Sequence, residues 1–256
     1  MPFKLNFSGF KRVRKEVALP SVGDARVYAI GDIHGRIDLL DELLAMIARD
    51  DAARPPMTRY LILMGDLVDR GPDSATVVRR AINLSQSASN VRFLKGNHEE
   101  VFVLAARGDV QAARFFRRIG GIETLASYGL DESESSAMDD DALASWMLTH
   151  IPRADVDFLD GFQTMIEIGD YLFVHAGIDP KKPISRQETG DLLWIRQPFL
   201  DHTARHERMV VHGHSITQMP DVRENRIGID TGAYASGRLT ALALEHNRRW
   251  FLHTGL

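Results

Sequence analysis

The chain contains no cysteine among its 256 residues. This absence excludes disulfide bonds, thiolate metal ligands and a cysteine nucleophile. A transition metal would have to be held by histidine, carboxylate, amide or backbone groups, which are hard or borderline ligands. A lack of cysteine is also typical of a reducing compartment. We therefore expect a cytoplasmic location.

Long apolar runs and a strong charge of either sign are also missing. No apolar stretch approaches the roughly 20 residues of a membrane-spanning helix, so we expect no integral membrane segment. The formal net charge of -4 provides no overall attraction to nucleic acid, and we expect no nucleic-acid partner. With 44% hydrophobic and 26% charged residues, the composition is that of an ordered globular protein.

The first twenty residues differ in composition from the rest of the chain. Phe3, Phe7 and Phe10 lie near helical spacing among lysines and arginines, a pattern that would also suit a weak interfacial anchor. We favour a basic N-terminal tail over 1–20. Because no internal repeat or Pro/Gly/Ser-rich linker interrupts the remainder, we expect one domain over 21–256.

Three apolar runs in the first hundred residues each end in a polar turn beside glycine. They predict strands over 26–30, 59–64 and 91–94. The spacing between the turns fits strand–helix–strand units of about 30 residues with parallel strands, and Asp73 is a candidate N-cap of the second helix. Parallel strands deliver their C-terminal turns to one sheet edge, where open α/β proteins place ligand sites.

The pattern changes in the second half of the chain. We predict mainly helix over 100–160, with breaks at Gly120-Gly121 and in the acidic stretch 131–141, where three aspartates suit a solvated loop or helix cap. Short strands are then predicted over 164–168, 171–175, 209–212, 226–229 and 238–244. The expected fold class is α/β: a helical, parallel half and a more antiparallel half, packed as a sandwich of sheets with helices outside.

Five polar turns share one format, in which a strand is followed by Asp, Asn or His beside glycine or alanine. They occupy residues 31–35, 65–71, 96–99, 174–177 and 211–214. Hydrolysis of a phosphate ester requires charge neutralisation, a hydroxide nucleophile at neutral pH and a proton for the leaving oxygen. Two metal ions about 3.5–4 Å apart supply the first two.

Such a metal pair needs one bridging carboxylate and further carboxylate, amide and imidazole ligands. We assign the bridge to Asp66. Asp32 and His34 would complete the protein ligands of one metal, and those of the other would be Asn97, His175 and His214. Because His212 lies two residues before His214, either of these imidazoles could be the ligand.

The motifs resemble the phosphoprotein phosphatase branch of the calcineurin-like metallophosphoesterases, and most of all its compact bacterial and phage members, which are serine/threonine phosphatases. The matching elements are Gly-Asp-X-His-Gly at 31–35, Gly-Asp-X-Val-Asp-Arg-Gly at 65–71 and Gly-Asn-His-Glu at 96–99. The resemblance implies a four-layer α/β/β/α sandwich of two mixed sheets flanked by helices. It also implies two divalent ions, manganese first and iron or zinc otherwise, and direct attack by a hydroxide that bridges them.

The same resemblance implies roles for residues beside the metals. Arg70 binds the substrate phosphate, and its planar charged fork suits phosphate oxygens. His98, oriented by Asp69, protonates the leaving group. Asn97 contacts the phosphate as well as a metal. Arg196, in a Leu-Trp-X-Arg element, is the second phosphate-binding arginine.

The resemblance also decides between neighbouring candidates. His214 is preferred to His212 as a ligand because it follows Gly213, as in the Gly-His element of the family. Arg36 and Glu99 suit either a supporting role behind the ligands or ordinary capping. Asp230 is expected to be structural.

The leading functional hypothesis is a metal-dependent phosphomonoesterase that acts on phosphoserine or phosphothreonine, so the expected partner is a phosphorylated protein or a small phosphate ester. The closest alternative is a symmetrical bis(5'-nucleosyl)-tetraphosphate hydrolase, which shares every motif. It would need aromatic walls for adenosine, and the candidates Phe115, Phe116 and Tyr128 suit the core better. A non-catalytic phosphate-binding regulator would predict the loss of His98, Arg70 or a ligand, and none is missing.

Overall fold

The computed structural model describes residues 19–255, without the side chain of Glu132. The basic tail predicted over 1–20, including Phe3, Phe7 and Phe10, therefore lies almost entirely outside the described residues. No helix within residues 19–255 is long and apolar enough to cross a membrane.

The described chain alternates strands and helices in its first half and is richer in strands in its second. The strands are β1 (Ala25–Ile30), β2 (Thr58–Leu63), β3 (Val91–Phe93), β4 (Met165–Ile168), β5 (Tyr171–Val174), β6 (Met209–His212), β7 (Asp221–Val222), β8 (Arg226–Gly228), β9 (Thr240–Glu245) and β10 (Arg248–His253). The helices are α1 (Ile37–Ala52), α2 (Ser74–Ser87), α3 (Asn97–Ala106), α4 (Val110–Arg118), α5 (Gly121–Ser127), α6 (Glu132–Ala137), α7 (Asp140–His150), α8 (Arg153–Asp160), α9 (Thr189–Trp194) and α10 (Ala233–Ser236), with a 3-10 turn at Ile184–Arg186.

The first sheet has the order β10-β9-β1-β2-β3. Strands β1, β2 and β3 are parallel, whereas β9 is antiparallel to β1 and β10 to β9. Side chains alternate along β1: Tyr28 and Ile30 pack towards the helices, and Val27 and Ala29 pack towards the second sheet. A strand buried on both faces needs the continuous apolar run seen in the sequence.

The second sheet has the order β4-β5-β6-β8-β7. Its three central strands are parallel, and β4 and β7 form antiparallel edges. Phe173 and Val211 face the first sheet, while Leu172 and Val210 face an outer layer that contains α9 and the 3-10 turn. The order of layers is therefore helices, sheet, sheet and a thinner helical layer, which confirms the predicted α/β/β/α sandwich.

The helical, parallel half and the more antiparallel half predicted from the sequence do not form separate sheets. Strands β9 and β10, from the end of the described chain, complete the first sheet, and β5, β6 and β8 run parallel in the second. Apolar periodicity reports that a strand is buried but not its direction or its neighbours, which depend on how the connections cross. The predicted break over 131–141 also contains a short helix, α6, although Asp139 caps α7 by accepting a hydrogen bond from the Ala142 N–H.

The two sheets approach each other closely at the end of β1. A Cβ atom added to Gly31 would lie 2.5 Å from the Ile229 carbonyl oxygen, nearer than non-bonded atoms can approach. The Gly31 N–H also donates to the Thr240 carbonyl, at 3.0 Å. The absence of a side chain at Gly31 thus lets the first and second sheets meet immediately before Asp32.

We predict that Gly31→Ala lowers the free energy of unfolding by about 1–3 kcal/mol, because the added methyl group overpacks the junction of the sheets. Urea denaturation followed by circular dichroism measures this change. Gly190→Ala is the matched control, since Gly190 lies in α9 with no atom within 4 Å of an added Cβ. That control should be unchanged or slightly more stable; equal midpoints for Gly31→Ala and wild type would contradict the prediction.

Candidate metal centre

The polar turns of both sheets meet at one edge of the sandwich. The turns after β1, β2 and β3 carry Asp32, Asp66 and Asn97, and those after β5 and β6 carry His175 and His214. Strands β1, β2 and β3 are parallel in one sheet and β5 and β6 in the other, so within each sheet their carboxyl ends point the same way. Residues separated by as much as 182 positions are thereby brought into hydrogen-bond contact, as His214 donates its N–H to Asp32 Oδ2 at 2.9 Å.

Asp66 lies between two groups of ligand atoms. Its Oδ2 atom is 3.6 Å from His34 Nε2 and 3.9 Å from His98 Nε2. Its Oδ1 atom is 3.4 Å from His175 Nε2. The donor atoms of His34, Asp66 and His98 lie within 4.8 Å of one another, as do those of Asp66, His175 and His214.

Asn97 completes the second group. Its Oδ1 atom lies 2.9 Å from His175 Nε2 and 2.9 Å from His214 Nδ1. Asn97 begins α3, immediately after the turn that follows β3. An amide oxygen is thus aimed between two imidazoles, which is a suitable arrangement for a divalent cation held by nitrogen and oxygen ligands.

Two backbone carbonyls orient two of these imidazoles. His34 Nδ1 is 2.7 Å from the Val68 carbonyl oxygen, and His175 Nδ1 is 3.0 Å from that of Met64. When such a ring is neutral, donation through Nδ1 leaves the lone pair on Nε2, the nitrogen that faces Asp66 in both residues. Such hydrogen bonds typically fix the tautomer of metal-ligating histidines.

Electrostatics also favour a cation here. Burial lowers the pKa of His34 to about 3 and that of His214 to about 3, which keeps both rings neutral, as metal ligands must be. Although burial acts in the opposite direction, the charge of Asp66 raises the pKa of His175 to about 10. The negative potential that holds a proton at His175 would equally attract a metal ion.

Asp32 provides a direct test of whether the residues fit a metal. Its Oδ1 atom is buried and has no hydrogen-bond partner among the described residues. Burial and the charges of Asp230 and Asp66 raise the pKa of Asp32 well above its usual value. An unpartnered buried carboxylate oxygen is unfavourable unless a cation or proton compensates it. The donor set therefore fits a divalent ion bound by oxygen and imidazole nitrogen.

Beside the first group lies a hydrogen-bonded pair, His98 and Asp69. His98 Nδ1 is 2.6 Å from Asp69 Oδ2, and Asp69 Oδ1 accepts a hydrogen bond from the Thr124 hydroxyl at 2.8 Å. Burial raises the pKa of Asp69 to about 6, and the contact with His98 opposes this rise. Burial lowers the pKa of His98, but the charges of Asp66 and Asp69 outweigh it and raise that pKa.

Arg70 extends across the same two imidazoles. Its Nη1 is 2.9 Å from His34 Nε2 and its Nη2 is 2.9 Å from His98 Nε2. The arginine is partly exposed, whereas both histidines are buried. A guanidinium in this position presents its N–H donors to any oxyanion that binds over the cluster.

Five site residues adopt a left-handed backbone conformation, which is rare outside glycine. Their φ angles are 47° for His34, 50° for Asp66, 73° for Asp69, 67° for Arg70 and 60° for His214. The conformation is unfavourable by roughly 1–2 kcal/mol per residue for most L-amino acids. Such strain persists only where surrounding contacts determine the backbone, and it clusters at functional sites.

Glu99 supplies those contacts for the turn that carries Asp66. Its Oε2 atom accepts from the N–H groups of Asp66 and Gly96, each at 2.8 Å, and its Oε1 atom accepts from that of Leu67 at 2.7 Å. The side chain is fully buried. Burial and the charge of Asp66 raise the pKa of Glu99 to about 7, against the effect of these N–H donors. Glu99 therefore has both of the roles that the sequence left open: it caps α3 at Gly96, and it supports the turn that carries Asp66.

The remaining candidates lie at different distances from the cluster. Arg196 is exposed, and its Nη2 is 3.5 Å from the His214 carbonyl oxygen. His212 lies outside both groups: its Nδ1 faces the Gly213 carbonyl oxygen, and its ring packs edge-on against Phe199. The structure thus places His214, and not His212, among the candidate ligands.

Two further candidates have structural contacts. Arg36 pairs with Asp38 and donates to the Ala233 carbonyl, which ties α10 to the start of α1. Asp230 accepts a hydrogen bond from the Gly232 N–H, in keeping with the structural role expected for it.

Sequence reasoning missed two residues at this site, Thr124 and Tyr234. Thr124 lies in the helical region, where no motif marks it, and it bonds the Asp69 carboxylate. The half-buried ring of Tyr234 lies 5.4 Å from the His34 ring and 5.1 Å from the Arg70 guanidinium carbon. A signal for Tyr234 does exist, because it lies two residues after Gly232, in the helix that follows the turn containing Asp230.

We predict that Glu99→Ala lowers the free energy of unfolding by about 3–5 kcal/mol, because several buried N–H groups lose their acceptor. It should also reduce the manganese retained after gel filtration. Glu123→Ala is the matched control, an exposed acidic residue in the first turn of another helix, α5. Chemical denaturation and elemental analysis check both effects, and a Glu99→Ala protein as stable as the control would show that Glu99 does not hold the turn.

Comparison with known proteins agrees with this geometry. The family model for calcineurin-like phosphoesterases matches residues 25–248. A symmetrical bis(5'-nucleosyl)-tetraphosphatase of Acidovorax sp. is 38% identical over 155 residues, which cover 60% of this chain and 45% of that protein. The chain thus spans just under half the length of that relative. An asymmetrical bis(5'-nucleosyl)-tetraphosphatase, PrpE of Anoxybacillus flavithermus, is 27% identical over 83% of this chain and 88% of its own.

Solved structures show the same fold. A crystal structure provisionally named a diadenosine tetraphosphatase superposes with a TM-score of 0.62 at 22% identity, covering 91% of this chain and 96% of that one. A serine/threonine phosphatase from Saccharomyces cerevisiae superposes with a TM-score of 0.55 at 16% identity, covering 90% and 79%. From the family match and the shared fold, the chain belongs to the calcineurin-like phosphoesterase family, whose members are metal-dependent phosphoesterases.

Proposed function

We propose that this chain hydrolyses a phosphoanhydride bond of dinucleoside tetraphosphates, using two divalent metal ions, manganese first and iron or zinc otherwise. The observation that carries the phosphohydrolase chemistry is the pair of ligand groups that share the buried Asp66 carboxylate. The substrate class is supported by relatives named as symmetrical and asymmetrical bis(5'-nucleosyl)-tetraphosphatases.

The proposed metal ligands take His34, Asp66, His175 and His214 from the two groups of donor atoms. They add Asp32, whose Oδ1 has no partner among the described residues, and Asn97, and they leave out His98, whose Nδ1 contacts Asp69. Asp32, His34 and Asp66 would hold one ion, and Asn97, His175 and His214 would hold the other together with Asp66. When bound, the ions neutralise phosphate charge and make hydroxide available at neutral pH.

The residues around the cluster position the substrate and its protons. Arg70 would bind two oxygens of the reacting phosphate with its two terminal nitrogens, and the Asn97 amide would contact the same phosphate. The exposed Arg196, near the His214 carbonyl, would bind a neighbouring phosphate. His98 would deliver a proton to the leaving oxygen, with its ring orientation set by the 2.6 Å contact with Asp69.

A serine/threonine protein phosphatase is the second candidate. The motifs at 31–35, 65–71 and 96–99 resemble that branch of the family, but the tetraphosphate hydrolases share them. The fold shared with the yeast serine/threonine phosphatase does not separate the two substrates, because the tetraphosphatase structure shares that fold as well. A non-catalytic phosphate-binding regulator is disfavoured, since His98, Arg70 and every proposed ligand are present.

We expect chelation to abolish hydrolysis and added manganese to restore it.

We further expect Asp66→Asn to reduce the occupancy of both ions, because one carboxylate faces both ligand groups. Elemental analysis of the purified variants measures this occupancy. Asp38→Asn is the control, since it removes a surface carboxylate that pairs with Arg36. An active Asp66→Asn protein that retains two ions would contradict the shared-ligand assignment.

The leaving group distinguishes the two substrate classes. A phosphoserine peptide expels an alkoxide, which requires protonation, whereas a dinucleoside tetraphosphate expels a nucleotide phosphate with a pKa of about 6. We expect His98→Asn to lower kcat on the peptide by about 10²–10⁴-fold and on diadenosine tetraphosphate much less, with both metals retained.

The same panel tests the proposed substrate on the wild-type protein. Its kcat/KM should be higher for diadenosine tetraphosphate than for any phosphopeptide at matched manganese concentration. The reverse order would favour the protein phosphatase. Equal losses on both substrates in His98→Asn, with metal lost as well, would instead make His98 a ligand.

A further inference from the structure

A pair of aromatic side chains forms an uncovered surface beside the metal centre. Phe115, on α4, is 41% exposed although it is a large apolar residue. Its ring centroid lies 5.9 Å from that of the half-buried Trp194, with the planes tilted by 46°. Of the aromatic candidates suggested by the sequence, Phe116 is fully buried and Tyr128 bonds Asp155, so only Phe115 is available to a ligand.

Trp194 is held against α3, the helix whose first residue is the candidate ligand Asn97. Its indole Nε1–H donates to Glu100 Oε2 at 2.7 Å. Glu100 lies three residues after Asn97, so both side chains project from the same face of α3, one turn apart. The indole is therefore positioned about one helical turn from a proposed metal ligand, and its orientation is determined by a hydrogen bond.

Helix α9, which ends at Trp194, is also attached to the second ligand group. The Ala176 N–H, next to His175, donates to the Leu192 carbonyl at 2.8 Å, which anchors α9. Arg196, two residues beyond Trp194, lies against the His214 carbonyl. The exposed guanidinium of Arg196 thus lies beside the second ligand group, close to Phe115 and Trp194.

We propose that Phe115 and Trp194 form a platform on which one nucleobase of the substrate stacks, with Arg196 binding the phosphates that connect this base to the metal centre. This proposal rests on the proposed function and names the part of the chain that recognises the nucleoside. Stacking on an aromatic side chain contributes binding free energy for every base, because every base has a π-face. The platform would therefore accept any purine or pyrimidine.

The arrangement favours a nucleobase over an apolar side chain of a phosphopeptide. A flat ring with a phosphate attached through a sugar requires an aromatic face and a cation close to it, and the segment 194–196 supplies both. The hydrogen bond from Trp194 to Glu100 also restricts the indole, so little side-chain freedom is lost when a base stacks.

The test compares two ligands that differ only in the nucleoside. Isothermal titration calorimetry of the manganese-loaded protein measures the Kd of the methylene-bridged analogue of ADP and of methylenediphosphonate. The variants are Phe115→Ala, which removes the aromatic ring, and Phe115→Tyr, which retains it. Leu148→Ala is the control, because Leu148 is an exposed apolar residue on α7, in no contact that the proposal uses.

We expect Phe115→Ala to raise the Kd of the nucleotide analogue by about 5- to 100-fold and to leave that of methylenediphosphonate unchanged. Phe115→Tyr and Leu148→Ala should bind both ligands as the wild type does. Trp194→Leu should resemble Phe115→Ala, and Trp194→Phe should retain most of the affinity. Equal affinities of the wild type for the two ligands, or equal losses for both in Phe115→Ala, would overturn the platform.

The failure of this proposal can be distinguished from the failure of the proposed function. If the protein does not hydrolyse diadenosine tetraphosphate but Phe115→Ala still weakens nucleotide binding, the platform is supported and the proposed reaction is wrong. If the protein hydrolyses diadenosine tetraphosphate and KM is unchanged in Phe115→Ala and Trp194→Leu, only the platform is wrong. If Phe115→Ala weakens only the binding of phosphopeptides, the surface recognises a peptide and the nucleobase assignment is wrong.

Discussion

The buried carboxylate of Asp66 is the constraint around which the site is arranged. Its two oxygens face different groups of imidazoles, at 3.4 Å from His175 and 3.6 Å from His34. Burial raises the pKa of Asp66, but the charges of His175 and His98 outweigh it and hold that pKa well below its usual range. A permanently charged group inside a protein requires compensating positive charge. The same requirement accounts for the surrounding imidazoles and for the attraction of this position to divalent cations.

Holding Asp66 in this position requires an unfavourable backbone conformation. The φ angle of 50° at Asp66 is stabilised by Glu99 of α3, whose carboxylate accepts from the N–H groups of Asp66 and Leu67 and also from that of Gly96. Asp69, in the same turn, is held in a similar way, because its N–H donates to the hydroxyls of Ser74 and Thr124. Strain in the turn 65–71 is therefore offset by hydrogen bonds to side chains of three helices, α2, α3 and α5. The consequence is that the protein's own hydrogen bonds determine the positions of the candidate ligands in this turn.

The close contact between the sheets determines how near the two ligand groups can lie. Gly31 allows the end of β1 to touch the Ile229 backbone, and Gly213 leaves room for Asp32, whose Oδ1 would clash with an added Cβ. Strands β9 and β10 return to the first sheet and pack its outer edge. The absence of a side chain at each glycine therefore lets loops from different sheets approach each other, and the candidate metal centre lies where those loops converge.

The sequence by itself determined the local parts of this protein. The apolar runs, the glycine-flanked turns and the cap at Asp73 predicted the first three strand–helix units and most of the residues that the structure brings together, because buried strands and tight turns leave local signals. Only the tertiary structure decided which strands are neighbours, that His214 and not His212 faces Asn97, and that Thr124 and Trp194 lie beside the site. Those contacts join residues far apart in the chain, and their geometry depends on how two sheets pack, which no local pattern encodes.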